Sequence, residues 1–549
     1  MKDRRASAAF LLWISVIVLV SSPWAQEPSN PFRIGLVQDW TQHHIVFSRD
    51  ALMKNPGLIN SEPRIVHQAM QRWPGARPQI SGNASMAALL AEPELDWNVP
   101  LGLGRIAPNM FPAKYSFDPG AGPDCTNDYA VFGLNHVGNA RQANLVAFNN
   151  LNSGAGPGIC GAAPAVLFAY NISTITAGRI QDSPALSLDG KKIAFVESGN
   201  IGGNLMSVFH VLTWATGPGN GTSATAPAIP GVGNSASMTS LTYANALDLR
   251  SSPWIDYNSD VAYVGSDDGR IYKITGVFKG TPTLAGAPWP VAINPNVRAS
   301  TPVLDKNLGL VLVGNQKGVF YSINAATGAV KSLVIGSGGN NPGILAAPIV
   351  DVTNGTSFVV SSNDGTSGVL VQVDSATMTI LAKGRIGIAS KSGTAIDLFQ
   401  PAFSNDYFTS PSLGVARLCG TGAANTTPWQ YAFGFTGITM NAAPVSSSQL
   451  LTSTTARCTG WTEFFNPNIG AVGNDFFFFG LTADCTGAGT SGCVKARNAD
   501  GSLSSANIAG GPSGIVVDNF STAAQASSIY FTGATTPNTA YKLTQNGLQ

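Results

Sequence analysis

Two stretches of this chain repeat in register. Pro253, Asp256, Gly265, Gly269, Tyr272 and Ile274 recur as Pro302, Asp305, Gly314, Gly318, Tyr321 and Ile323, each pair offset by 49 residues. A period in the forties, built from short apolar strands and Gly turns, marks a propeller blade, a unit that buries its faces only against neighbouring copies. Each unit opens on Ser/Thr-Pro, runs through an apolar strand to Asp, turns, and continues into a second strand at 261–264 or 310–313. A Gly-bounded turn then leads to a third strand. Strands this short, with turn signals about every 8–12 residues, read as an antiparallel meander.

The pattern extends outward from these two units. Downstream, units open at Ala347-Pro348, Gln400-Pro401, Ala443-Pro444 and Gly511-Pro512; upstream, one opens at Ser183-Pro184. A divergent first unit carries strands at 128–132, 144–148 and 165–168. That makes eight units, the last with three strand candidates before the chain ends. The segment 96–101, around Trp97, has an outer-strand pattern and is expected to close the ring as the missing fourth strand. The fold expected is therefore an all-β propeller of eight four-stranded blades. Seven is the alternative, because the units at Gln400 and Ala443 are irregular. The chain divides into a signal peptide (1–25), an N-terminal extension (26–95) laid on the propeller, and the propeller itself (96–549). Within the extension, 62–73 shows helical spacing, with Ile65, Val66, Ala69, Met70 and Trp73 on one face. Residues 39–47 read as a strand or turn, and 215–240 as a long exposed loop between blades. Four consecutive Phe at 476–479 read as a central strand buried on both faces.

Charged residues make up only 11% of the chain and the net charge is +1, with no basic block. Nucleic acid is excluded as the main partner, since phosphate neutralisation needs clustered Lys and Arg. Lys2, Arg4 and Arg5 precede an apolar run at 8–20, too short to span a bilayer comfortably, and small residues up to Ala25 follow. This is the pattern of an export signal, with an uncleaved anchor as the alternative. No later segment is apolar enough to span a membrane. The expected location is secreted or periplasmic, and the expected state a monomer. Six cysteines agree with export. Six allow 15 pairings; proximity favours Cys125 with Cys160, Cys419 with Cys458, and Cys485 with Cys493. A zinc site is disfavoured because no closely spaced ligand pair is present.

The Ser/Thr-Pro-x-x-Asp and Val-Gly-x-x-x-Gly-x-x-Tyr-x-Ile patterns resemble the β-propeller repeat of the pyrroloquinoline-quinone-dehydrogenase-like class. The best match covers residues 252–374, and weaker ones extend it over about 125–549. The whole chain is also similar to a group of uncharacterised secreted bacterial proteins that carry such repeats. The resemblance implies a fold more than an activity. The quinone-binding members of the class use an adjacent Cys-Cys ring, a Trp platform, and a Ca²⁺ held by Glu, Asn and Asp. This chain has no adjacent cysteines, and the surroundings of Trp254 and Trp461 do not match those motifs, so no catalytic residue is carried over.

His43 and His44 are adjacent, which on a strand points them to opposite faces, so a shared metal is disfavoured. The turns Ser266-Asp267-Asp268-Gly269 and Ser362-Asn363-Asp364-Gly365 offer oxygens for Ca²⁺. Their equivalent Asn315-Gln316-Lys317-Gly318 drops the acids, which favours a turn role. No nucleophile elbow, phosphate loop or zincin motif is present. The chain therefore reads as an exported, non-enzymatic propeller scaffold that binds an unidentified protein or glycan through loops at one face. No catalytic, cofactor or metal residue is assigned. The alternative is a periplasmic quinone- or metal-dependent oxidoreductase, and only under it would pyrroloquinoline quinone or Ca²⁺ be bound.

Overall fold

The computed structural model describes residues 35–47, the positions 62, 64, 65, 68 and 72, and residues 93–545 apart from short internal gaps. The expected signal segment lies outside these residues. Eight antiparallel sheets follow one another along the chain, and inner strands of neighbouring sheets touch in sequence order, which closes a ring. The inner strands of blades 1 to 8 are Ala113–Ser116, Ala185–Leu186, Trp254–Asp256, Val303–Asp305, Ile349–Asp351, Ala402–Phe403, Thr462–Asn466 and Val516–Asp518. Blade 8 takes its outer strand from the other end of the chain: Glu94–Gly102 pairs antiparallel with Asn538–Thr544. Trp97, on that closing strand, packs between Phe148 of blade 1 and Tyr530 of blade 8.

The repeat residues each have a local task. The repeated Asp caps the first turn of its blade: Asp305 accepts from the Leu308 amide, and Asp351 from those of Thr353 and Asn354. Gly314 has no room for a side chain, since a Cβ there would lie 2.2 Å from Ile344. Gly269 and Gly318 turn at φ of +78° and +74°, where any other residue is strained. The acids of the repeated turns are held by the turns themselves. Asp268 accepts from the Arg270 amide and the Tyr272 hydroxyl, and Asp364 from the Thr366 and Ser367 amides and the Lys383 ammonium.

Four expectations are corrected. Blade 1 has an inner strand, Ala113–Ser116, that lacks the Ser/Thr-Pro opening. Blade 7 opens at Thr462, with Trp461 where blades 1 to 6 carry Pro, while Ala443-Pro444 leads into the outer strand of blade 6, Ser446–Gln449. The stretch 215–240 is not all loop: Ser237–Ala244 is the outer strand of blade 2, and Ala228 bridges to Tyr170 at the edge of blade 1. The described residues of the N-terminal extension before the closing strand are not laid over the ring but run inside it, as described below. The four Phe at 476–479 sit in the second strand of blade 7, and all are buried.

Disulfides join Cys125 to Cys160 within blade 1, Cys419 to Cys458 between blades 6 and 7, and Cys485 to Cys493 across a hairpin of blade 7. Two of the three thus brace the blades whose sequence departs most from the repeat. Among the described residues, no helix is long and apolar enough to cross a membrane.

Candidate functional site

The described residues 36–47 of the chain's own N-terminal extension lie in the axis of the ring. Leu36–Gln38 pairs antiparallel with the inner strand of blade 1, and Ile45–Val46 pairs parallel with that of blade 5. In a ring of eight these blades are opposite, so the segment crosses the axis. A 3-10 turn, Trp40–His43, makes the crossing. Asp39 caps it by accepting from the Thr41 amide at 3.0 Å, and its other oxygen takes the Leu186 amide of blade 2 at 3.2 Å. Gln38 donates to the Val517 carbonyl of blade 8.

A second bar crosses from blade 3 to blades 6 and 7. Its described residues Arg64, Ile65, Gln68 and Arg72 are helical. Ile65 is buried as its place in the spacing requires; Val66, Ala69, Met70 and Trp73 lie outside the described residues. Arg64, Gln68 and Arg72 recur every four residues and so share one helical face, and they bond the ring and the first bar. Arg64 donates to the Ile255 carbonyl, Thr41 and Glu62, with its guanidinium 4.0 Å over the Trp254 ring. Gln68 bonds both the Ile45 carbonyl and the Phe47 amide. Arg72 grips Glu463 with both guanidinium nitrogens and lies 3.4 Å over Phe408.

His43 and His44 belong to this plug, not to a strand. His43 ends the 3-10 turn and stacks on Phe111; His44 follows it and bonds the Trp40 carbonyl through Nδ1 at 2.8 Å. Burial pushes His43 down to about 3 and His44 down to about 4, so both rings are neutral. The two Trp of the quinoprotein comparison are covered. Arg64 occupies the face of Trp254, and Trp461 stacks on Phe479 at 4.1 Å. Among the described residues, a cavity of about 40 Å³ lies inside the axis beside Gln42, Arg72 and Trp461, enough for roughly two or three waters.

At the end where the inner strands begin, the Ser/Thr-Pro motif ties blade to blade. The Phe111 amide donates to Ser183 Oγ, the Ser183 amide to Ser252 Oγ, and the Ser252 amide to Thr301 Oγ1, all at 2.9–3.0 Å. Thr301 Oγ1 in turn donates to the Arg250 carbonyl. These connections bring residues before blade 1 and at the openings of blades 2 to 6 around one cavity of about 200 Å³.

The cavity is charged. Asp182 is buried, and neither of its carboxyl oxygens has a well-formed hydrogen bond. Burial, then the neighbouring Asp248, pushes its pKa well above the carboxylate range. Asp248 accepts from the Tyr243 hydroxyl and the Ser251 amide; burial, then Asp267, pushes it up to about 8. The pair therefore holds at least one proton at neutral pH. Arg298 pairs with Asp267 at 3.0 Å. Among the described residues the Arg250 guanidinium has no such partner within salt-bridge distance; burial lowers its pKa, and Asp397 opposes that shift. One wall of the cavity thus presents a guanidinium without an ion pair to the described residues, and another a carboxyl held toward its neutral form without a well-formed hydrogen bond. An anionic group fits the first and a hydrogen-bonding group the second. Sequence reading missed both residues, although each lies just before a Ser-Pro opening, where one face of the ring is lined. Among the described residues, no three His, Cys, Asp or Glu side chains gather as a metal requires.

No protein-family model matches this chain, and no curated protein sequence matches it. Among solved structures it is similar to BamB from Moraxella catarrhalis, at 15% identity and a TM-score of 0.45, over 82% of this chain and 99% of that one. It is similar to Sqt1 from Saccharomyces cerevisiae at 9% identity and a TM-score of 0.47, over 82% and 98% of the two chains. A quinohemoprotein alcohol dehydrogenase from Pseudomonas putida HK5 is similar over 47% of this chain and 42% of its own, at 14% identity and a TM-score of 0.33. The blade count rests on the strand pairing described above.

Proposed function

We propose that this chain is an exported, non-enzymatic binding scaffold that recognises a protein or glycan partner at the cavity where the inner strands begin. The observation that carries this reading is that Asp182, without a well-formed hydrogen bond, and Arg250, without an ion pair to the described residues, share a cavity built from the openings of five blades. Buried polar groups left unsatisfied are rare in a packed interior and common where a ligand completes them. The plug supports a scaffold role, since it makes the ring rigid and covers the Trp faces a flat quinone would need. Disulfides support an oxidising compartment.

The test places a photo-cross-linking side chain at Leu249, on the cavity, and at Val334, on the outer strand of blade 4, in the native host. A discrete adduct from Leu249, absent from Val334 and lost in Arg250→Ala, is the expected result. Adducts from Val334 alone would move recognition to the rim. A quinone absorption band with stoichiometric Ca²⁺ in the protein purified from its host would replace this reading with an oxidoreductase.

A further inference from the structure

A second cavity opens at the opposite end of the ring, where the inner strands finish. It lies between blades 6 and 7 and measures about 310 Å³, at the lower end of the usual range for small-molecule sites, about 300–1,000 Å³. Arg417 enters it from the second strand of blade 6, and Arg497 from the third strand of blade 7. The Arg417 side chain has no hydrogen bond or ion pair to any described residue, and its Nε is buried without an acceptor. Burial, then the like charge of Arg497, pulls Arg417 down to about 10. Asp475 opposes that shift, yet a half-buried guanidinium beside another, with its Nε unsatisfied, is unfavourable unless an acceptor completes it.

Two further features narrow the ligand. Asn498, only 4% exposed, donates to Ser502 Oγ, but its Oδ1 has no donor. A hydroxyl group would satisfy it. Phe477 forms an apolar wall, with the Arg417 guanidinium 5.5 Å from its ring. Two acids also line the space. Asp406 is at the exposed rim. Asp475 accepts from the Asn405 amide, and burial, then Glu463 beside it, holds its carboxyl toward the neutral form. Glu463 itself is committed to Arg72. The cavity therefore presents an unsatisfied guanidinium nitrogen, an acceptor for a hydroxyl, and an apolar face; its other guanidinium, Arg497, already donates to the Gly501 carbonyl.

We propose that this cavity binds a sugar acid of the uronic class, with its carboxylate on Arg417, a hydroxyl on Asn498 Oδ1, and its C–H face against Phe477. This site is separate from the cavity at Asp182 and Arg250.

Isothermal titration of the full mature chain with glucuronate at low salt tests it, with glucose and inorganic phosphate as parallel probes. Single-site binding of glucuronate is expected, weakened about 10- to 100-fold in Arg417→Gln, with no detectable binding of glucose. Arg417→Lys, which keeps the charge but loses the fork, should fall between. Arg250→Ala should leave this binding unchanged, which separates the site from the proposed partner face. Since the Arg417 side chain makes no hydrogen bond to any described residue, the Arg417→Gln protein should fold; if it does not, Arg417→Lys carries the comparison. The proposal is overturned if glucuronate gives no heat with the wild-type chain, or binds equally to Arg417→Gln. Phosphate binding as tightly as glucuronate would overturn the sugar assignment.

Discussion

Replacing Lys542 by Met should open the closure of the ring by leaving Asp96 without its cation. Asp96 sits on the closing strand, Lys542 on its partner strand, and both are buried. Lys542 Nζ donates to Asp96 Oδ2 at 2.5 Å and to the Gln525 carbonyl, and Thr544 Oγ1 donates to the same carboxylate. Burial is the largest influence on both groups, raising Asp96 and lowering Lys542, so each is displaced toward its neutral form despite the other. Without Lys542, Asp96 must either stay charged in a dry seam or take up a proton. From an ordinary carboxyl value of 3.8, protonation at pH 7 costs about 4 kcal/mol at ~1.36 kcal/mol per pH unit. That agrees with the ~3–5 kcal/mol typical of a broken buried pair. The sign follows from a raised carboxyl: the penalty grows as pH rises above 3.8, so it should shrink to about 2 kcal/mol at pH 5. Equilibrium denaturation followed by tryptophan fluorescence, with Trp97 in the same seam, reads it. The double variant Asp96→Leu with Lys542→Met removes both desolvated charges and should be near wild type or more stable. A Lys542→Met protein within 1 kcal/mol of wild type at pH 7, as order of magnitude, would refute this account of the seam.

Three further outcomes follow. Because the His43 and His44 values are lowered below 6.5, their stability contribution is present above that value and lost as pH falls toward 4. At pH 5 each should account for about 2 kcal/mol of lost stability, and His43→Gln should remove its share of that fall in pH-dependent denaturation. Thr301→Val removes the acceptor of the buried Ser252 amide and should destabilise by about 1–3 kcal/mol in chemical denaturation, with no change in far-UV circular dichroism. Gly314→Ala drives a Cβ into Ile344 and should lower stability by about 1–3 kcal/mol; an unchanged denaturation midpoint would mean that the blade 4 to blade 5 contact is looser than described.

The blades were legible where their chemistry is local. Ser/Thr-Pro, the capping Asp and the positive-φ Gly each act within a few residues, so they leave a readable pattern in blades 2 to 5. The inner strand of blade 1 escaped notice because it carries Lys114, a charge that reads as surface but is buried against Asp518 at 2.6 Å. Blade 7 was misplaced because Trp461 replaces Pro at its opening. The closing strand could be found because a ring with an incomplete last blade needs one. The plug left no such sign: its pairings join Leu36 to Ser116 and Ile45 to Val350, far apart in sequence. Arg64, Gln68 and Arg72 look like the wet side of a helix, yet they are polar because they must satisfy carbonyls and a carboxylate inside the ring. The site residues Asp182 and Arg250 were missed for a similar reason. Their meaning depends on the circular order of blades, which brings the openings of successive repeats around one cavity.

The central claim is that the chain closes its own axis and leaves recognition to the ends of the ring. Native-state hydrogen exchange of the peptide spanning 36–47 tests this most directly. The account predicts protection comparable to the inner strands Ala113–Ser116 and Ile349–Asp351, with which this peptide pairs. Exchange of 36–47 at free-chain rates, while those two strands remain protected, would contradict it.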